Sequence, residues 1–131
     1  MKAMILAAGL GTRLLPFTSQ LPKPLFPILN KTLLHLTISR IRNSGFSEII
    51  VNSHHLRQQI KEALQNEANC ILQEEEKILG TGGGLRMALS HFNDEPVLVA
   101  NGDIYHTVNY QEVYKNHCEW VNQCSVINRI S

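Results

Sequence analysis

The stretch Ala3-Met4-Ile5-Leu6-Ala7-Ala8-Gly9-Leu10-Gly11-Thr12-Arg13-Leu14-Leu15-Pro16 decides how the rest of the chain is read. Ala3 to Ala7 is a short, continuous apolar run ended by Ala8-Gly9, the pattern of a strand buried on both faces of a sheet. It is expected to be the first and central strand. After it, Gly9 and Gly11 let the backbone approach an anion closely and turn successive N–H groups toward it. Thr12 adds a hydroxyl donor, and Arg13 a permanent charge with a forked donor geometry. Such a segment is a phosphate cradle. It is not a Walker A loop, because no Gly-Lys-Ser/Thr follows, and it lacks the third glycine of the dinucleotide fingerprint. Taken alone, Gly-x-Gly after a strand fits a ligand-free tight turn equally well. Leu21-Pro22-Lys23-Pro24-Leu25 shifts that balance, since two prolines stiffen the backbone around one lysine and hold its ammonium in a defined place. Without the glycine loop before it, the same lysine would read as an exposed turn residue.

Working outward, Pro16, Pro22, Pro24 and Pro27 exclude a regular helix or an interior strand between Gly9 and Pro27. A loop this long in a small domain points to function. From about Thr32 the spacing of Leu34, Ile38 and Ile41 predicts a helix, with Gly45 placed to end it. Glu48 to Asn52 reads as a second buried strand, Leu56, Ile60, Ala63 and Leu64 as a second helix, and Cys70 to Gln73 as a third strand. Leu85, Ala88, Leu89 and Phe92 mark a third helix, Pro96 to Ala100 a fourth strand, Tyr110, Val113, Tyr114 and His117 a fourth helix, and Cys124 to Ile127 a last strand. This alternation predicts an α/β fold, a three-layer Rossmann-like sandwich around a mainly parallel sheet. Ligands of such sheets lie beyond the carboxyl ends of the strands. Gly9 to Lys23, Gly80 to Gly84 and Asn101-Gly102-Asp103 all fall there, so the three loops are expected to converge on one pocket.

Composition sets the outer bounds. With 131 residues, 44% of them hydrophobic and 18% charged, the chain reads as one globular domain, residues 1–131, without repeat or linker. Twelve basic and eleven acidic residues spread along the length give a formal net charge of +1, which argues against nucleic acid as a partner. The N-terminal apolar run is too short for a signal segment or a membrane span, so no membrane is expected and the default location is the cytoplasm. Cys70, Cys118 and Cys124 show no CxxC spacing and are read as reduced and mostly buried.

The run from Met4 to Pro16 followed by Pro22-Lys23-Pro24-Leu25 resembles the signature of nucleoside-triphosphate:sugar-1-phosphate nucleotidyltransferases, the nucleotide-sugar pyrophosphorylases. Both halves match in order and spacing. The resemblance continues through Leu79-Gly80-Thr81-Gly82-Gly83-Gly84 and Asn101-Gly102-Asp103, and so covers essentially the whole chain. It implies the nucleotide-diphospho-sugar transferase type of fold, and a reaction in which a sugar phosphate oxygen attacks the nucleotide α-phosphorus in line while pyrophosphate leaves. It further implies that Gly11, Thr12 and Arg13 hold the leaving phosphates, that Lys23 meets the α-phosphate or the incoming sugar phosphate, that Asp103 binds Mg²⁺, and that Asn101 faces the sugar. Catalytic roles thus fall to Arg13, Lys23 and Asp103. For the base, the candidates are backbone groups near Ala8 and Gly9, the Gln73 side chain, and Gly80, Thr81 and Gly82. Gln73 either reads a base edge or simply ends a short strand. The glycines at 82 to 84 likewise fit a ligand-facing helix start or a plain one. The segment from Leu79 to Gly84 looks closest to enzymes of mannose-, heptose- or N-acetylmuramate-type 1-phosphates, which favours GTP or UTP and leaves cytidylyl transfer open.

Other conspicuous residues are read as structural. Glu74-Glu75-Glu76-Lys77 is expected to be a solvated loop, because carboxylates beside a nucleotide would repel it. His54 and His55 point apart, His106 reads as a surface loop residue, and Trp120 as core or edge packing. The family domain usually continues for about as many residues again. That second half supplies much of the sugar pocket and a second metal-binding aspartate, for which no candidate follows Asp103. A fragment, a truncated product, a homo-oligomer or a complementing chain would each account for this. A nucleotide-binding module without catalysis is the second reading. A Rossmann dehydrogenase is a weak third, since no acidic residue follows the second strand at the ribose position.

Overall fold

The computed structural model describes residues 1–120 and Ser125. Strand β1 spans Lys2–Leu6, and three single 3-10 turns follow, at Thr12–Leu14, Phe17–Ser19 and Lys23–Leu25. Strands β2 (Pro27–Ile28) and β3 (Lys31–Thr32) form a small antiparallel hairpin that leads directly into helix α1, Leu33–Asn43. Strand β4 is Glu48–Ser53, helix α2 Arg57–Ala63, strand β5 Cys70–Glu74, helix α3 Gly80–Ala88, strand β6 Val97–Asn101 and helix α4 Tyr110–Glu119. The expected strand from Cys124 to Ile127 lies outside the described residues apart from Ser125.

The main sheet runs β5-β4-β1-β6, and each of its three pairings is parallel. From β1 the chain steps outward to β4 and β5, then returns across the sheet to β6 on the other side of β1. That reversal makes the carboxyl edge between β1 and β6 a topological switch point, the place where an open α/β sheet leaves a crevice. The Gly102 N–H donates to the Leu6 carbonyl at 2.9 Å, which carries the pairing past the strand ends and sets the floor of that crevice.

The pleat divides β1 between two cores. Ala3 and Ile5 sit in register with Ile49 and Val51 of β4 and with Leu98 and Ala100 of β6. This row packs against Leu34, Ile38 and Ile41 of α1, Ile60 of α2 and Tyr110 of α4. Met4 and Ile50 point the other way, against Ala88 of α3 and Phe92 just beyond it. Helices therefore cover both faces, as the alternating pattern requires. Both helix ends that bracket α1 are built locally: the Thr32 hydroxyl accepts from the His35 N–H at 3.2 Å, and Gly45 takes φ 89° just past the last turn.

Three expectations are corrected here. Leu89 is 63% exposed, because α3 gives way to a 3-10 turn after Ala88 that turns Leu89 outward while Phe92 stays buried. Trp120 stands past the end of α4 and is 75% exposed, so it does not pack in a core. Cys118 is also exposed, on the solvent side of α4, while Cys70 is half-buried. Among the described residues no helix is long and apolar enough to cross a membrane.

Candidate functional site

One cleft opens at the switch point, and all three loops reach it. Its lining includes Leu6 at the end of β1 with Ala7, Ala8, Gly9 and Gly11 after it, Lys23 and Pro24 from the proline loop, Ile78, Gly80 and Thr81 at the start of α3, and Asn101 at the end of β6 with Asp103 after it. Asn52, at the end of β4, lies between the first and third groups.

The first wall is built on Gly11. Its φ of 64° is left-handed, and a Cβ there would lie 2.7 Å from Thr18 Cγ2, so a larger residue is excluded on both counts. The Thr18 hydroxyl, itself buried, donates to the Gly11 carbonyl at 2.7 Å, and His55 Nε2 donates to the Thr18 carbonyl at 2.6 Å. These contacts tie the glycine loop to the segment after β4. Thr12 and Arg13 follow on a single 3-10 turn and are exposed, outside the cleft lining. Among the described residues no ion pair or hydrogen bond engages the Arg13 guanidinium, which stands exposed on the turn that follows Gly11.

Lys23 is the cation inside the cleft. Pro22 and Pro24 are buried on either side of it, and the prolines fix φ, so the backbone that carries Lys23 has little freedom. Its Nζ lies 3.0 Å from Asp103 Oδ2, with the two side chains 30% and 35% exposed. A partly screened pair of this kind contributes little stability, roughly 0–1 kcal/mol. Its significance is positional: a fixed ammonium and a carboxylate from opposite sides of the switch point meet where an anionic ligand would enter.

The third wall rests on a buried polar knot. Asn52 Oδ1 accepts from the Ala7 N–H at 2.8 Å, and its Nδ2 donates to Glu75 Oε1 at 2.8 Å. Glu75 is 1% exposed. Its backbone N–H donates to the Ser53 carbonyl at 2.8 Å, an extension of the β4–β5 pairing that turns its side chain inward. Glu74 and Glu76 are exposed, but Glu75 is not part of a solvated loop, and that expectation fails for it. A buried carboxylate is tolerated because donors surround it. The histidines beside the knot do separate things: His54 Nδ1 donates to the Glu75 carbonyl at 2.8 Å, while His55 serves the glycine loop.

Gln73 is not brought to the cleft. It is buried, and its Nε2 donates to the Gly84 carbonyl at 3.0 Å and approaches Glu75 Oε1 at 3.5 Å. Between the two readings the residues allowed, the amide is used to hold α3 on β5. Gly82 is exposed on the first turn of α3 and lies outside the cleft lining, whereas Gly80 and Thr81 are within it. His106 faces Tyr110, whose hydroxyl lies 2.9 Å from its Nε2, and not the cleft. Asn52 and Glu75 are the residues sequence reasoning missed. The available signal was an amide at the end of an otherwise apolar strand, which needs buried partners.

The cleft and the sheet order define a class, and comparison with known proteins agrees. The model of the nucleotidyl transferase family matches residues 2–129, and the chain belongs to that family. It is 36% identical over 120 residues to the N-acetylmuramate alpha-1-phosphate uridylyltransferase of Neisseria meningitidis, covering 88% of this chain and 52% of that protein. It is 32% identical over 120 residues to the D-glycero-alpha-D-manno-heptose 1-phosphate guanylyltransferase of Aneurinibacillus thermoaerophilus, covering 89% and 52%. The crystal structure of HddC from Yersinia pseudotuberculosis complexed with GMP-PN superposes with a TM-score of 0.79 at 27% identity, covering 88% of this chain and 53% of that one. The chain thus spans about half the length of these relatives.

Proposed function

We propose that this chain carries the nucleotide-binding half of a sugar-1-phosphate nucleotidyltransferase, which transfers a nucleoside monophosphate from a triphosphate to a sugar 1-phosphate and releases pyrophosphate. The observation that carries this reading is the Lys23–Asp103 pair at 3.0 Å inside a cleft shared by three loops at the β1/β6 switch point. In this reading the triphosphate lies along the glycine loop. Backbone N–H groups near Gly11, with Thr12 and Arg13, take the β- and γ-phosphates, and Arg13 offsets charge as it builds on the departing pyrophosphate. Lys23 sits at the α-phosphate or the entering sugar phosphate, orienting the attack and neutralising charge on the transferred group. Ala8, Gly9, Gly80 and Thr81 flank the base, and Asn101 faces the sugar. The Leu79 side chain does not cap α3, so the N–H groups of its first turn are offered to an acceptor on the ligand.

The donor set suits Mg²⁺. Among the described residues no group of three or more metal-ligating side chains occurs, and Asp103 is the carboxylate in the cleft. Magnesium is held in this manner, by one or two carboxylates with phosphate oxygens and water completing the shell. Asp103 would hold it, and when bound it would supply positive charge to offset that of the phosphates. Uridine and guanosine triphosphates are the favoured donors, since the similar proteins include a uridylyltransferase and a guanylyltransferase.

The test is pyrophosphate release from each of the four triphosphates with Mg²⁺ and mannose, heptose or N-acetylmuramate 1-phosphate. Turnover that Asp103→Ala reduces by about 10²-fold or more supports the reading. Triphosphate binding without any pyrophosphate release makes this chain a binding module instead.

A further inference from the structure

Glu75 is a buried carboxylate that the proposed chemistry does not use, and its contacts reach both walls of the cleft. Asn52 Nδ2 donates to its Oε1 at 2.8 Å, and the Leu79 N–H donates to its Oε2 at 3.4 Å. Asn52 in turn accepts from the Ala7 N–H at 2.8 Å. The result is one continuous chain of hydrogen bonds from Ala7, where the first wall leaves β1, to Leu79, where the third wall enters α3. The α3 backbone comes close enough that a Cβ at Gly84 would lie 2.9 Å from both Asn52 Nδ2 and Glu75 Oε1. Every side-chain partner of the Glu75 carboxylate is a donor. A carboxylate, with two accepting oxygens, satisfies them all; an amide of the same shape would turn an N–H toward one of them.

We infer that Glu75, acting through Asn52, is a positioning residue that sets the spacing between the glycine-loop wall and the Gly80–Thr81 wall, and hence the fit of a nucleoside between them. The nucleoside part rests on the nucleotidyl-transfer reading above; the spacing part does not. Breaking the Glu75 bonds frees the start of α3 and leaves the Thr18 and His55 braces of the glycine loop in place. Affinity for a whole nucleotide should therefore fall while affinity for bare phosphates holds.

Three variants of the full chain test this. Glu75→Gln keeps the volume and breaks the chain of bonds. Asn52→Asp alone sets two carboxylates against each other. The double variant, N52D with E75Q, restores the chain from Ala7 to Leu79 with the charge moved one partner along: an Asp at 52 accepts from Ala7 and from the new amide, whose oxygen accepts from Leu79, while Gln73 Nε2 gives up its long approach to Glu75 and keeps its bond to the Gly84 carbonyl. In E75Q, amide hydrogen exchange at Leu79 to Thr81 should accelerate about tenfold or more relative to the central strands, and return toward wild type in the double variant. The UTP or GTP dissociation constant should rise about tenfold in E75Q with inorganic triphosphate affinity unchanged, and recover in the double variant. Exchange at Leu79 to Thr81 that matches wild type, or that rises uniformly across the sheet, overturns the inference. So does parallel weakening of nucleotide and triphosphate, or failure of the double variant to recover what E75Q loses. If the wild-type chain binds no nucleotide, the nucleotidyl-transfer reading fails while the exchange measurement still decides the spacing role.

Discussion

The first and third walls of the cleft are held by opposite means. The glycine loop after β1 is mostly exposed and stands on a left-handed backbone position open to glycine, Gly11 at φ 64°, braced by the Thr18 hydroxyl and His55. The wall at the start of α3 is braced from beneath by a carboxylate that is 1% exposed. The first arrangement leaves N–H groups and the Arg13 charge facing solvent, where a highly charged ligand part can be met without desolvating the protein first. The second fixes backbone geometry, which suits a neutral, shape-defined ligand part. Charge sits on the open wall and rigidity under the other.

The largest expected effect comes from removing the cation between the walls. Lys23→Met should lower kcat/KM for pyrophosphate release by about 10²-fold or more with little change in unfolding free energy, because the pair it breaks is partly solvated. Steady-state kinetics together with urea unfolding separate the two, and equal losses in both would mean Lys23 is only structural. A smaller effect distinguishes two glycines on α3. Gly84→Ala should destabilise by about 1–3 kcal/mol, because its Cβ would press on Asn52 and Glu75. Gly82→Ala, with nothing within 4 Å of the added carbon, should be neutral or stabilise by up to about 1 kcal/mol. Denaturant midpoints check both, and a neutral Gly84→Ala would remove the tight contact beneath the third wall.

The smallest effect lies away from the cleft. Burial lifts the Cys70 thiol above 9.0 and the Tyr110 hydroxyl above 10.0, with Arg42 and Arg40 respectively pulling back in part. A folded pKa above the unfolded one means that the unfolded chain releases its protons first as pH rises. The stability these groups contribute is therefore full below the unfolded values and is lost as pH climbs through 9.0 and then 10.0. Urea midpoints should be level from pH 7 to 8.5 and fall modestly by pH 10.5, and Cys70→Ser should blunt the earlier part of that fall.

This contrast also explains what could be read from the amino acids. The order of strands and helices was legible because each element carries its own period, from the Ala3–Ala7 run to the Leu34, Ile38 and Ile41 stripe. The glycine loop and Lys23 were legible because their chemistry is contiguous, with the donors and the stiffening prolines within a few residues of one another. The knot beneath the third wall was not, since Ala7, Asn52 and Glu75 are scattered along the chain and meet only through the β1–β4–β5 pairing. Glu75 was hidden further by its neighbours: amid three glutamates and a lysine, nothing local separates the one whose backbone pairs with Ser53 from the two that face water. Gln73 stays open in the sequence between two tasks, because an amide that reads a base and one that holds a helix have the same composition, and only the bond to the Gly84 carbonyl separates them. Trp120 misled in the opposite sense, a large apolar ring that the end of α4 leaves exposed.

The most direct test of the division between the walls is a backbone amide NMR titration of the chain with inorganic triphosphate and, separately, with UTP and GTP in the presence of Mg²⁺. The account predicts that all three ligands shift resonances from Gly9 to Lys23, and that only the nucleotides also shift those of Ile78 to Thr81. Shifts at Ile78 to Thr81 produced equally by inorganic triphosphate, or nucleotide shifts that miss the Gly9 to Lys23 loop, would contradict it.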